Sequence, residues 1–202
     1  MLEPGAKREI EAAFVSAQAK TRAPLQCVLA ETSADYALAP VLVAALIALL
    51  APWPLLAFTT LSPERVFLVQ LTLFAFALAL IVWAPVRVAL ATTARRRSAG
   101  HRAALVQFVL RGLDRAPERN GVLLYVCLAE RYARIVADMG LDGKISAADW
   151  RGLIDDLGAA MKKGEREAAL RSAAMRMAEL LVPHFPASPG DEAPHGQRFH
   201  VL

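Results

Sequence analysis

Apolar residues in this chain fall into two different patterns. From Ala37 to Phe58 the run ALAPVLVAALIALLAPWPLLAF carries no charge, and from Val66 to Ala84 the run VFLVQLTLFAFALALIVWA is interrupted only by Gln70 and Thr72. Each approaches the ~20 residues that a helix needs to cross ~30 Å of hydrocarbon. Pro40, Pro52 and Pro54 would break a helix in a soluble core, whereas in lipid they are tolerated near helix ends or as kinks. The pattern predicts a two-helix transmembrane hairpin within residues 37–90, with spans at about 37–58 and 66–84. The connector TTLSPER, Thr59–Arg65, is short enough to make the two helices antiparallel neighbours.

On either side the periodicity is that of a soluble domain. EPGAKREIEAAFVSAQAKTRA predicts an amphipathic helix with Ile10, Phe14 and Ala17 as its stripe, and LQCVLAE, Leu25–Glu31, predicts a strand after Pro24. Beyond the apolar block, HRAALVQFVLRGLD (His101–Asp114) predicts a helix with Leu105, Phe108, Val109 and Gly112 on one face. RAPERN and the Asn120-Gly121 pair break it. GVLLYVCL is then apolar at every position, the signature of a strand buried on both faces. Ala129-Glu130 turns the chain, and RYARIVAD returns as a strand with Tyr132, Ile135 and Ala137 apolar. Glu130, Arg131, Arg134 and Asp138 exclude a third membrane span here.

Ser146 and Asp149 have capping-box spacing, with Asp in place of Glu. Trp150, Leu153, Ile154, Leu157 and Met161 follow as a core stripe until Lys162-Lys163-Gly164. A last helix over about residues 165–182 turns Leu170, Ala174, Met177 and Leu181 inward. The Pro-, Gly- and His-rich residues 184–202 read as a disordered tail.

The order is helix, strand, membrane hairpin, helix, strand, strand, helix, helix. Strands one and two are joined through a helical crossover, which predicts parallel pairing and a right-handed connection; strand three is antiparallel to strand two. The expected fold class is α/β, a small mixed sheet with helices on both faces, interrupted by a two-helix transmembrane hairpin. Residues 1–36 and 91–183 then form one domain in two parts, 37–90 the hairpin and 184–202 the tail.

Composition and charge sharpen the membrane reading. The 202 residues are 56% hydrophobic with a formal net charge of +4. The excess of apolar residues lies between Ala37 and Leu90, and Arg87, Arg95, Arg96, Arg97 and Arg102 follow it. Lys20 and Arg22 precede it, while the connector offers Arg65 offset by Glu64. The positive-inside rule places both termini in the cytoplasm and the connector outside, a multi-pass protein of a bacterial inner membrane. Residues 1–24 are helical and charged, without the apolar core of a secretory signal. Expected partners are the lipid bilayer, met by the arginine run, a membrane protein, and in some arrangements a second copy of the chain. No nucleic-acid motif is present.

IEAAFVSAQAKTRAPLQCVLAETSADY, HRAALVQFVLRGL and above all NGVLLYVCLAERYARIVADMGL resemble the TPM domain family. That family includes thylakoid proteins linked to photosystem II repair, bacterial membrane-anchored proteins and an animal modulator of acetylcholine receptors. The resemblance covers most of the chain outside the hairpin and reaches Trp150. It implies the TPM-type α/β/α sandwich, and the hairpin after strand one is similar to a bacterial subgroup. Many relatives carry an acidic pair before the first helix, where this chain has Glu3 alone, and many have Thr-Gly where this chain has Thr21-Arg22. Many also lie outside the cytoplasmic membrane.

The resemblance implies two functional classes. One is an accessory or scaffold in assembly, quality control or repair of membrane complexes, which needs no catalytic group; none of GxSxG, a glycine-rich phosphate loop or HExxH occurs. The alternative is a divalent-metal-dependent phosphatase, since such activity is attributed to some TPM proteins. Metal-assisted hydrolysis needs clustered carboxylates, and Asp138 and Asp142 are the candidate ligands for Ca²⁺ or Mg²⁺. The plainer reading of both is a solvated turn. Glu31 and Asp35 offer partners for Arg131. Cys27 and Cys127 sit in apolar strands that pairing would bring near each other, although buried cysteines are mostly plain core residues.

Overall fold

Strand β1, Leu25–Ala30, and strand β2, Val122–Cys127, are buried almost throughout. In this computed structural model they pair in parallel, Leu25 opposite Val122 and Ala30 opposite Cys127. Strand β3, Tyr132–Ala137, returns antiparallel to β2 with Tyr132 opposite Cys127. Arg131, at φ 50°, supplies the left-handed residue of the turn between them. The structure describes residues 3–32, 38–58, 62–82, 93–188 and 196–202. Asp35, the connector residues 59–61, Trp83, Arg87 and the tail residues 189–195 lie outside the described residues.

The tail corrects the sequence reading. Phe199–Val201 forms a fourth strand, β4, parallel to β1 on the side away from β2, giving the order β3-β2-β1-β4. A three-residue strand is too short to show a period, and it is held by its neighbours: the Cys27 amide donates to Arg198 O, the Leu202 amide to Leu29 O, and the Arg198 and Phe199 amides donate to the Glu11 carboxylate of α1 at 2.8 and 2.6 Å. Pro186 also bridges to Thr21.

Both faces of this sheet are covered by helices. On one lie α1 (Pro4–Gln18), α6 (Ala147–Lys162) and α7 (Arg166–Leu181), where Ile10, Phe14, Leu153, Leu157, Leu170, Met177 and Leu181 close over Leu25, Cys27, Leu29 and Leu124. Each such side chain, fully withdrawn from water, contributes ~1.5–3 kcal/mol against the entropy of ordering it. Ser146 caps α6 as the sequence predicts: its Oγ accepts from the Asp149 amide at 3.1 Å and donates to Asp149 Oδ2 at 2.7 Å. The opposite face is covered by α5 (Thr93–Leu110), whose Ala104 and Phe108 pack with Val28, Leu123 and Tyr125.

Of the face expected for α5, Phe108 is buried against the sheet, but Leu105 and Val109 are exposed and Ala104 is buried in their place, so the helix is rotated from expectation. Gly100 begins this inward row. A Cβ there would sit 2.5 Å from the Tyr132 ring, so the row of small residues lets the helix lie close to β3.

The chain divides into two compact units, Met1–Glu31 with Gly100–Leu202, and Thr32–Ala99. The second holds α2 (Leu38–Leu50), α3 (Pro52–Phe58) and α4 (Pro63–Val82), with α4 packed beside the other two. Here the expected first span is broken at Ala51. Pro52 and Pro54 have no N–H to donate, and the Leu55 amide reaches Ala51 O only at 3.5 Å. In α4, Glu64 and Arg65 occupy the first turn, leaving Val66–Val82, about 25 Å of apolar helix at 1.5 Å per residue. Among the described residues no helix is long and apolar enough to cross a membrane. This unit nevertheless turns large apolar side chains outward: Phe58 is 87% exposed and Trp53 78%, with Leu42, Leu49, Phe67, Leu68 and Phe76 all above 55%.

Candidate functional site

Asp138 follows β3 and opens a single 3-10 turn, Met139–Leu141. Its Oδ1 accepts from the Met139 amide at 2.8 Å. Its Oδ2, buried and without an aligned hydrogen bond, lies 3.2 Å from Arg119 Nε, an ion pair in which the carboxylate side is only 5% exposed. The turn is pressed against the 118–119 backbone, since a Cβ on Gly140 would lie 2.2 Å from Glu118 O, and the Gly140 amide donates to Arg119 O. Asp142 closes the turn and is exposed. The two predicted ligands therefore sit at opposite ends of one short turn, one capped and facing a guanidinium, the other in solvent. Among the described residues no group of three or more His, Cys, Asp or Glu side chains is placed to hold a metal. Ca²⁺ takes six to eight oxygens, so these two carboxylates would supply only part of a cation's ligands.

The cysteines are separated by the sheet itself. Cys27 belongs to the α1/α6/α7 face and Cys127 to the α5 face, and in the parallel register Cys27 stands opposite Leu124 rather than Cys127. A redox pair is thus excluded by geometry. Burial, with the Glu11 carboxylate adding to it, pushes the Cys27 thiol far above its ordinary range, so this cysteine is chemically inert. Cys127 Sγ donates to Glu130 Oε2 and lies 3.5 Å from Glu31 O, tying the β2–β3 turn to the end of β1. Glu130 is buried and Arg131 and Glu31 are exposed.

A feature that sequence reading did not single out lies at the other end of the parallel strands. A cavity of about 580 Å³ opens at the amino ends of β1 and β2, between the loop that follows α5 and the segment that joins α1 to β1. Arg22, Gln26, Arg111, Arg115, Glu118 and Asn120 are among its walls. Arg22 pairs with Glu118 at 3.1 Å. Arg111 ends α5; Gly112, at φ 66°, supplies the left-handed residue that stops the helix. Burial lowers the basicity of the Arg111 guanidinium, and Arg111 in turn helps hold His200 below the ordinary histidine range. One signal was present in the sequence: Gln26 is the polar exception in a strand of buried apolar residues. The arginines come from segments that read separately as a helix end and a loop, and only the fold brings them together.

The family model described as TPM domain matches residues 85–180. Among solved structures the chain is similar to the NMR structure of BA42 protein from the psychrophilic bacterium Bizionia argentinensis, with a TM-score of 0.62 at 14% identity, covering 100% of this chain and 96% of that one. At that identity the likeness concerns the fold alone. No curated protein matches the chain.

Proposed function

We propose, from the premise that the chain carries a TPM domain, that it is a membrane-anchored accessory protein whose α/β unit is a binding platform for membrane protein complexes. The observation that carries this reading is the contrast between the two units. The sheet unit buries most of its apolar side chains, from Ile10 and Phe14 to Leu181, and exposes a smaller set on α5, Leu105, Val106, Val109 and Leu110. The inserted helices leave Leu42, Leu49, Trp53, Phe58, Phe67, Leu68 and Phe76 outward. So many large apolar side chains left outward on one small unit favour a membrane or protein contact. In the proposed arrangement α2 with α3, kinked at Pro52, and α4 together with the residues that follow it make the anchor. The arginines after residue 86 hold both termini on the cytoplasmic side.

The carboxylates on offer support an accessory role over hydrolysis. Asp138 serves as a cap and as the partner of Arg119. The test is native electrophoresis of membranes opened with a mild detergent. The full chain should migrate within an assembly larger than itself and its micelle, and a chain with residues 38–82 replaced by a short Gly/Ser linker should not. Migration of the full chain alone would end the accessory reading.

A further inference from the structure

Arg111 is placed unusually for a surface arginine. Its Nη2 is 3.4 Å from Gln107 Oε1, too long to be a strong bond, and its Nε is buried with no partner. In the wall of the same cavity Gln26 Oε1 is also buried with no partner. One group lacks an acceptor and the other lacks a donor, and a buried polar group left unpaired is costly. Arg22 and Arg115 add positive charge, and Glu118, the carboxylate among the described walls, is engaged by Arg22.

We propose that this cavity binds a small carboxylate whose neighbouring atom carries an N–H or O–H group, the carboxylate meeting Arg111 and the donor meeting Gln26 Oε1. The planar guanidinium matches a carboxylate edge. A fully ionised phosphate fits less well, because its further oxygens would face Gln26 Oε1, acceptor against acceptor. A volume near 580 Å³ is in the range of small-molecule sites and leaves room for a body behind the carboxylate. Two sources offer this chemistry: a free hydroxy or acylamino acid, and the C-terminus of a polypeptide, whose last amide is the donor. The site stands on Arg111 and Gln26 and is independent of the membrane assignment. Asp114 also has a buried Oδ1 without a partner but does not line the cavity.

The experiment is amide NMR of the full chain in detergent micelles, titrated with N-acetylglycine and, in separate arms, with N-acetylglycinamide, inorganic phosphate and acetyl-Ala-Ala-Gly bearing a free terminus. Saturable shifts at Gly112, Asn120 and the Gln26 side-chain amide are expected with N-acetylglycine and not with its neutral amide. Arg111→Gln should weaken binding about tenfold or more, the loss of a charge-assisted pair, while retaining the wild-type dispersion of β2 and β3 signals. Gln26→Leu should weaken it with the cavity charge intact. Tighter binding of the tripeptide identifies a polypeptide terminus as the source, and equal binding identifies a free acid. The proposal is overturned by the absence of saturable shifts, by binding indifferent to Arg111→Gln, or by phosphate competing as well as the carboxylate.

Discussion

At the scale of single residues, the fold assigns structural work to side chains that the sequence offered for chemistry. Asp138 is the clearest case: one oxygen caps the Met139 amide and the other faces Arg119. Arg119 is half exposed, so solvent weakens the pair and most of the benefit comes from the cap. Asp138→Ala is expected to lower stability by about 1 kcal/mol in denaturant titrations, equally with EDTA and with millimolar Ca²⁺. A loss seen only with Ca²⁺ present would show instead that the turn holds a cation. The sequence showed Asp138 and Asp142 near one another and could not show the guanidinium. Arg119 precedes β2, and its approach to Asp138 depends on the antiparallel register of β2 with β3 and on the bare Cα of Gly140. Cys27 and Cys127 teach the same lesson, because sequence can place two residues on adjacent strands while their faces depend on register.

At the scale of elements, long patterns were legible and short or crowded ones were not. β1, β2 and β3, their pairing directions, the α6 cap and the inward stripes of α1 and α7 all followed from periodicity and punctuation. The rotation of α5 did not, since close packing of Gly100 and Ala104 against the sheet outweighed burial of Leu105 and Val109. Nor did β4, three residues that are a strand only because β1 pairs with them. That dependence makes β4 sensitive to its one histidine. Burial first, then the Arg111 guanidinium, hold His200 below its ordinary value, against smaller opposing effects of the Gln197 backbone and Glu11. A histidine with a lowered folded value favours the neutral form. Its stabilising contribution is therefore complete above the unfolded value of about 6.5 and is lost as pH falls through the folded one. Hydrogen-exchange protection of the Leu202 amide, which donates to Leu29 O, is expected to fall from pH 7 to pH 5 after correction for intrinsic exchange. His200→Gln should remove that slope, and an unchanged slope would mean that another group controls β4.

At the scale of the whole molecule, one chain supports two solutions to burying apolar surface. The sheet unit buries most of its own, across an insertion that separates β1 from the helix covering its other face. The helical unit exposes what it has, with α2 and α3 parted at Ala51 and α4 beside them. Composition made the second unit visible at once, because a charge-free run such as 37–58 is rare in a soluble protein. It could not fix how the run would be divided, since that depends on whether Pro52 and Pro54 bend a helix or end it. The most direct test of the anchor is alkaline carbonate extraction of membranes holding the full chain, beside the chain with residues 38–82 replaced by a Gly/Ser linker. The full chain should stay in the pellet and float with lipid, while the linker variant is released and remains folded and soluble. A full chain that is released by carbonate and stays monodisperse without detergent would contradict the account.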